Sequence, residues 1–155
     1  MTPAILAARR AKIAHQVHEY AHDPSSPSYG VEAAEKLGLP QDRVFKTLVV
    51  TVDNKALVVG VVPVASMLNM KALAKAMGAK KAAMAEPAEV ERVTGYVLGG
   101  VSPLGQKKRL KTIIDTSART FPTIYVSAGR RGLQIELDPL DLKNLTGGSF
   151  AEIGN

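Results

Sequence analysis

Apolar residues fall into short blocks along the chain, some at strand spacing and some at helix spacing. Residues 44–52 and 56–62 are β-branched runs separated by Asp53-Asn54-Lys55, a pattern that predicts a β-hairpin. Residues 110–114, 123–127 and 133–137 read as further strands, and 15–20 as a short one. Helical spacing appears at residues 3–12, where Thr2 can act as N-cap and Pro3 takes the permitted first position. It recurs at 31–37, ended by Gly38, and at 70–77, capped by Asn69 and stopped by Gly78. Two more helices open on Glu86-Pro87 and Asp138-Pro139 and run to about 93 and 145. Residues 22–28, rich in Pro and Ser, read as a loop.

Hairpins mixed with helices argue against strict β-α-β alternation. The expected fold is therefore α+β, a single domain over residues 1–155 with a curved mixed sheet surrounded by helices. Met70, Leu73, Ala74 and Met77 share one helical face and read as core filler. No apolar run approaches a membrane span, and the early Arg9, Arg10 and Lys12 do not fit a secretory leader. The chain thus reads as soluble and cytoplasmic, with no membrane partner.

Composition then narrows the chemistry. With no cysteine, disulfides, Cys-ligated metal and a protein thiol nucleophile are excluded. Lys and Arg outnumber Asp and Glu by 20 to 14, a formal net charge of +6 that fits a polyanionic partner or simple solubility. The densest basic run is Lys107, Lys108, Arg109 and Lys111, with further pairs at Lys80-Lys81 and Arg130-Arg131. Such runs are ordinarily solvated faces, but three beside glycine-containing turns favour phosphate contacts.

Gly100-Val-Ser-Pro-Leu-Gly105 has the glycine spacing of a P-loop, but Gln106-Lys107 replaces the required Lys-Ser/Thr and Pro103 removes an amide donor. A nucleotide site is therefore excluded there, while Gly95, Gly99 and Gly100 still permit close backbone approach to a ligand. His15, His18 and His22 would share a face only on a helix. Their segment reads as extended and no carboxylate completes a ligand set, so neither a metal nor a cofactor is expected. Lys46 is the oddest residue. Alternation places it on the face of Leu48 and Val50 in an apolar strand, where it either has a task or snorkels from the strand end.

The same stretches carry a resemblance to a known family. MTPA at the start, HDP at 22–24, EKLGL at 35–39, FKTLVV at 45–50, GAKK at 78–81, TGYVLGGVSPLGQKKRLKTIID at 94–115 and TIYVSAGRRGL at 123–133 resemble the YbaK/EbsC group over nearly the whole chain. The resemblance implies a prolyl-tRNA-synthetase editing-domain fold and trans-editing of mischarged Cys-tRNA(Pro), where binding selectivity alone is insufficient. It implies Lys46 as the key pocket residue and Gly99, of the GxxxP loop, as its catalytic companion. Tyr20, Tyr29, Thr47, Gly100, Pro103, Ser127 and Gln134 would line the substrate pocket, and Lys107, Lys108 and Arg109 would contact tRNA phosphates. Relatives often carry Asp where this chain has Gln134 and Phe where it has Tyr29, which bears on pocket polarity. The implied partners are tRNA and, transiently, prolyl-tRNA synthetase, and the substrate's own thiol is the implied nucleophile. Two other readings stay open: a deacylase for Ala- or Ser-tRNA, and a non-catalytic module that binds tRNA or a synthetase.

Overall fold

A computed structural model describes residues 1–155. Helix α1 (Pro3–Arg10) is capped by Thr2, whose hydroxyl accepts from the Ile5 amide at 3.3 Å, and it buries Ala4, Ile5 and Ala8. It ends two residues sooner than its pattern predicts, because Lys12 turns the chain at a positive φ of 57°. Strand β1 (His15–Glu19) leads through the 22–28 loop to α2 (Tyr29–Leu37), which begins at Tyr29 rather than at 31 and ends on left-handed Gly38. Strands β2 (Phe45–Val52) and β3 (Ala56–Pro63) form the expected hairpin. Asp53 and Asn54, at φ of 50° and 53°, supply the left-handed turn that these residue types tolerate.

Helix α3 (Met70–Ala76), capped by the Asn69 side chain, is followed by strand β4 (Ala82–Met84), which the sequence pattern does not predict. Then come α4 (Pro87–Thr94), β5 (Lys111–Asp115), a short 3-10 helix (Thr116–Thr120), β6 (Ile124–Ser127), β7 (Leu133–Leu137), α5 (Pro139–Thr146) and β8 (Ser149–Ala151). The 3-10 helix and β8 are also unpredicted. Three-residue strands are too short to show a period, and their existence depends on distant partners.

The fold is α+β, as expected, with its β-structure in two pieces. A five-stranded mixed sheet has the order β4-β2-β3-β5-β8, and a three-stranded antiparallel sheet has the order β1-β7-β6. They join where Val44 bridges Tyr125 in parallel and the Tyr125 amide donates to the Arg43 carbonyl at 3.2 Å. The main core fills the space between them: Phe45, Val49, Val59 and Val61 from one sheet meet Ile124, Val126, Leu133, Ile135 and Leu137 from the other. The opposite face of the larger sheet packs Val50, Val58, Val62 and Ile113 beneath Leu73, with Met70 and Met77 filling gaps as expected. Helix α2 lays Ala33 and Ala34 against Val44 and Tyr125, across the seam.

Candidate active site

The seam positions the site. Where the sheets part, Lys46 and Thr47 follow Phe45 at the start of β2, β6 ends at Ser127, and Gln134 near the start of β7 lies opposite Ser127 in register. Tyr20 follows the end of β1, its amide donating to the Gly132 carbonyl at 3.0 Å. These five side chains, with Tyr29 and Gly99, line one cleft of about 390 Å³. Seven of the nine residues implied as catalytic or pocket-lining thus converge from six segments.

Its wall is built from two loops and a helix end. Gly99 has φ of 90°, and a Cβ there would lie 2.9 Å from Cε2 of the Tyr29 ring. Glycine is therefore required twice, for the backbone and for the aromatic ring that covers it. Tyr29 also stacks with Arg131, whose guanidinium carbon stands 4.2 Å from the ring centroid. Arg131 also donates to the Asp23 carbonyl at 2.8 Å and the Ser26 carbonyl at 3.1 Å, and pairs with buried Glu32 at 3.4 Å. Glu32 in turn accepts the Asp23 amide at 2.6 Å. The 22–28 loop, α2 and the 128–132 loop are thereby clipped together behind one tyrosine.

Electrostatically the cleft is cationic and short of partners. Lys46 is half-buried, forms none of the four ion pairs in the protein, and burial holds its ammonium pKa below the usual lysine value. No carboxylate or imidazole is among the lining side chains. Thr47 Oγ1 and Gln134 Oε1 are buried beside the cleft without a hydrogen bond inside the protein. Burial, with a smaller contribution from Glu32, raises the Tyr20 pKa and keeps it a neutral donor. Ser127 Oγ accepts from the Gly129 amide at 3.2 Å. Ser28, Tyr29 and Gly30, where α2 starts, line the cleft without a side-chain cap, and exposed Arg130 stands at the mouth. An unpaired cation and a free hydroxyl lining a partly dry space suit an anion, or an oxygen that becomes one, while the Gln134 amide oxygen suits a donor on the ligand.

Two residues implied as pocket-lining lie elsewhere. Gly100 is buried behind the wall, where a Cβ would come within 2.7 Å of the Arg130 backbone, so it lets the two loops touch. Pro103 is buried beside Ala7, Gln106 and Leu145 and does not reach the cleft. Lys107, Lys108 and Arg109 line a separate groove, and Arg109 also donates to the Thr146 carbonyl at 3.3 Å, capping the end of α5. The histidines do not converge. His15 and His18 fall on opposite faces of β1, His18 bonds Glu136 at 2.9 Å, and His22 lies in the loop. The sequence reading misses Arg131, taken there for one more surface cation, and buried Glu32. A glutamate beside two alanines at the start of a short helix is the only local hint of it.

Comparisons with known proteins bear on the family and the fold. Residues 24–145 match the aminoacyl-tRNA editing domain. The chain belongs to that family. Among relatives of this editing domain, the Enterococcus faecalis protein named "Putative Cys-tRNA(Pro)/Cys-tRNA(Cys) deacylase EbsC" is 41% identical over 98% of this chain and 92% of its own length. A proline–tRNA ligase of Trichlorobacter lovleyi is 32% identical over 69% of this chain and only 18% of the ligase. The fold matches the crystal structure of "a putative trans-editing enzyme for prolyl tRNA synthetase" with a TM-score of 0.80 at 24% identity, covering 100% and 99% of the two chains. The YbaK/EbsC resemblance read from the sequence is thereby supported. The match to the ligase is confined to a small part of the larger enzyme.

Proposed function

We propose that this editing domain is a trans-acting aminoacyl-tRNA deacylase that clears cysteine from proline tRNA. The observation that carries the reading is the unpaired, half-buried ammonium of Lys46 at the head of a core strand, inside the cleft. A charge left without a counter-ion is costly unless a ligand supplies one, and an ester being cleaved does so as charge builds on oxygen. Lys46 orients the terminal adenosine or the aminoacyl group, backbone groups near Gly99 hold the substrate, and Arg130 at the mouth meets the terminal phosphates. Thr47 and Gln134 accept or donate to the polar edge of the bound group.

The lining offers hydroxyls but no carboxylate or imidazole to activate them, which supports nucleophilic attack by the substrate itself. The cysteine sulfur, as thiolate, forms a bond to its own ester carbonyl. The bond to the ribose oxygen breaks, that oxygen takes up a proton, and water later opens the strained cyclic thioester to free cysteine. A thiol with pKa near about 8.5 has an appreciable thiolate fraction near neutrality, and intramolecular attack adds the advantage of proximity. Prolyl-tRNA synthetase is the expected transient partner, supplying selection of the tRNA.

Single-turnover deacylation of Cys-, Ser- and Ala-tRNA(Pro) at saturating protein tests the scheme. Fast release of cysteine alone is expected. Equal rates for all three would make water the nucleophile and move the search for a base to Tyr20 and Ser127.

A further inference from the structure

A second feature lies away from the cleft. Lys55 at the hairpin tip, Arg92 on α4, the run Lys107-Lys108-Arg109 and Lys111 at the start of β5 line one open groove, whose single carboxylate, Glu89, pairs with Arg92 at 2.8 Å. These six cations and one anion account for most of the charge excess. The rest of the chain has 14 Lys and Arg against 13 Asp and Glu, so outside the groove the protein is nearly neutral. Its frame is rigid. The Lys107 and Lys108 amides donate to the carbonyls of Thr94 and Val93 at 2.9 and 3.0 Å, fastening the basic run to the end of α4. Asp53 accepts the Lys80 and Lys81 amides at 3.0 Å, bringing that basic pair to the hairpin tip beside Lys55.

Distance defines what the groove can hold. Lys46 heads β2, and Lys55 follows its far end, so about 20 Å separates them at the ordinary rise of a strand. Residues 97–106 connect the cleft wall, at Leu98 and Gly99, to Lys107 in the groove. We infer that this groove grips the sugar–phosphate backbone of the double-helical acceptor stem while the single-stranded aminoacylated end crosses the loop into the cleft. The inference rests on the reading of tRNA as substrate and adds where, and through which residues, the duplex docks. It brings in Lys55, Arg92 and Lys111, residues remote in sequence from one another. Contacts of this kind carry affinity and salt dependence without base specificity.

The test uses Lys55→Gln/Arg92→Gln/Lys111→Gln. Binding of uncharged tRNA, a hairpin minihelix and a single-stranded 3′-end oligonucleotide is measured across a salt titration, together with deacylation of a short aminoacylated 3′-end fragment. Tenfold or greater weakening on tRNA and minihelix is expected, with a salt slope flatter by about 2 at roughly 0.7–0.9 per lost phosphate contact. Binding of the single strand and turnover of the short fragment should match wild type. Uncharged-RNA binding needs no catalysis, so this result stands or falls separately from the deacylase reading. Unchanged duplex affinity and slope would overturn the inference and leave the groove to an acidic protein surface. Equal losses on duplex and single strand would also overturn it, since the groove would then be a general polyanion face.

Discussion

Two charged side chains flank the same central strand and meet opposite fates. Lys46 on β2 and Asp115 on β5 stand on either side of β3, about 10 Å apart at ordinary strand spacing. Asp115 is 8% exposed and surrounded by donors. It accepts from the Ile153 amide at 3.0 Å, the Gly154 amide at 2.9 Å, the Ser117 amide at 3.2 Å and the Ser117 hydroxyl at 2.5 Å. Burial alone would raise its pKa, but these hydrogen bonds outweigh burial and lower it. Lys46 has no such company, and its pKa is lowered because its charge is poorly solvated. A satisfied buried charge belongs to the architecture. An unsatisfied one marks where the protein expects something else to arrive.

The comparison breaks most sharply at Lys46. Lys46→Ala should reduce single-turnover deacylation by about a thousandfold, the scale of losing a principal electrostatic group. Chemical denaturation should place its stability within about 1 kcal/mol of wild type, since no partner is orphaned. A mutant that unfolds would instead make Lys46 structural. Asp115→Ala should behave in reverse: about 3 kcal/mol of stability lost, because the Ile153 and Gly154 amides are left bare, with kcat per folded molecule unchanged. A normal melting temperature would remove Asp115 from the architecture.

Titration sharpens the contrast. Asp115 has a depressed folded-state pKa, so its contribution is fully present above its unfolded value and lost as pH falls through the folded one. Wild type should therefore weaken on acidification more steeply than Asp115→Asn. Lys46 has the opposite sign. Its cost to stability is full below its lowered pKa and relieved as pH rises from there towards 10.5. Lys46→Met should be slightly more stable than wild type at neutrality, with the difference shrinking at alkaline pH. A constant difference across that range would contradict the desolvated ammonium.

The smallest expected effect concerns the cleft wall. Gly99→Ala should lower deacylation about tenfold by driving Tyr29 out of place, given the 2.9 Å approach that a Cβ would make. Truncating the ring in Gly99→Ala/Tyr29→Ala should recover part of that loss. If the double variant is no better, the backbone conformation at Gly99 matters and the ring does not.

Much of this could be read without coordinates, for reasons that differ by residue. Lys46 was conspicuous because an ammonium interrupts a period-2 apolar pattern, a purely local signal. The long hairpin and the capped helices were legible for the same reason. The division of the sheet was not, because it depends on Val44 meeting Tyr125 across 81 positions of chain. Strands β4 and β8 escaped notice because their neighbours in the sheet, and not their own residues, make them strands. The role of Arg131 is not legible in sequence, because an exposed arginine and one stacked on Tyr29 look identical there.

The bonds around Asp115 also bear on the timing of synthesis. Ile153, fully buried, packs into the cluster that holds Val62, the residue paired with Lys46. The Asn69 amide donates to the Ile153 carbonyl at 2.7 Å, and the Asn155 amide to the Met67 carbonyl at 2.9 Å. Residues 149–155 thus complete the packing that α3 begins on that face of the sheet, and a ribosome adds them after everything that lines the cleft. A nascent chain can form the hairpin early, but its core stays partly open on that side until residues 149–155 emerge. That side of the larger sheet is therefore complete only after residues 149–155 have been added.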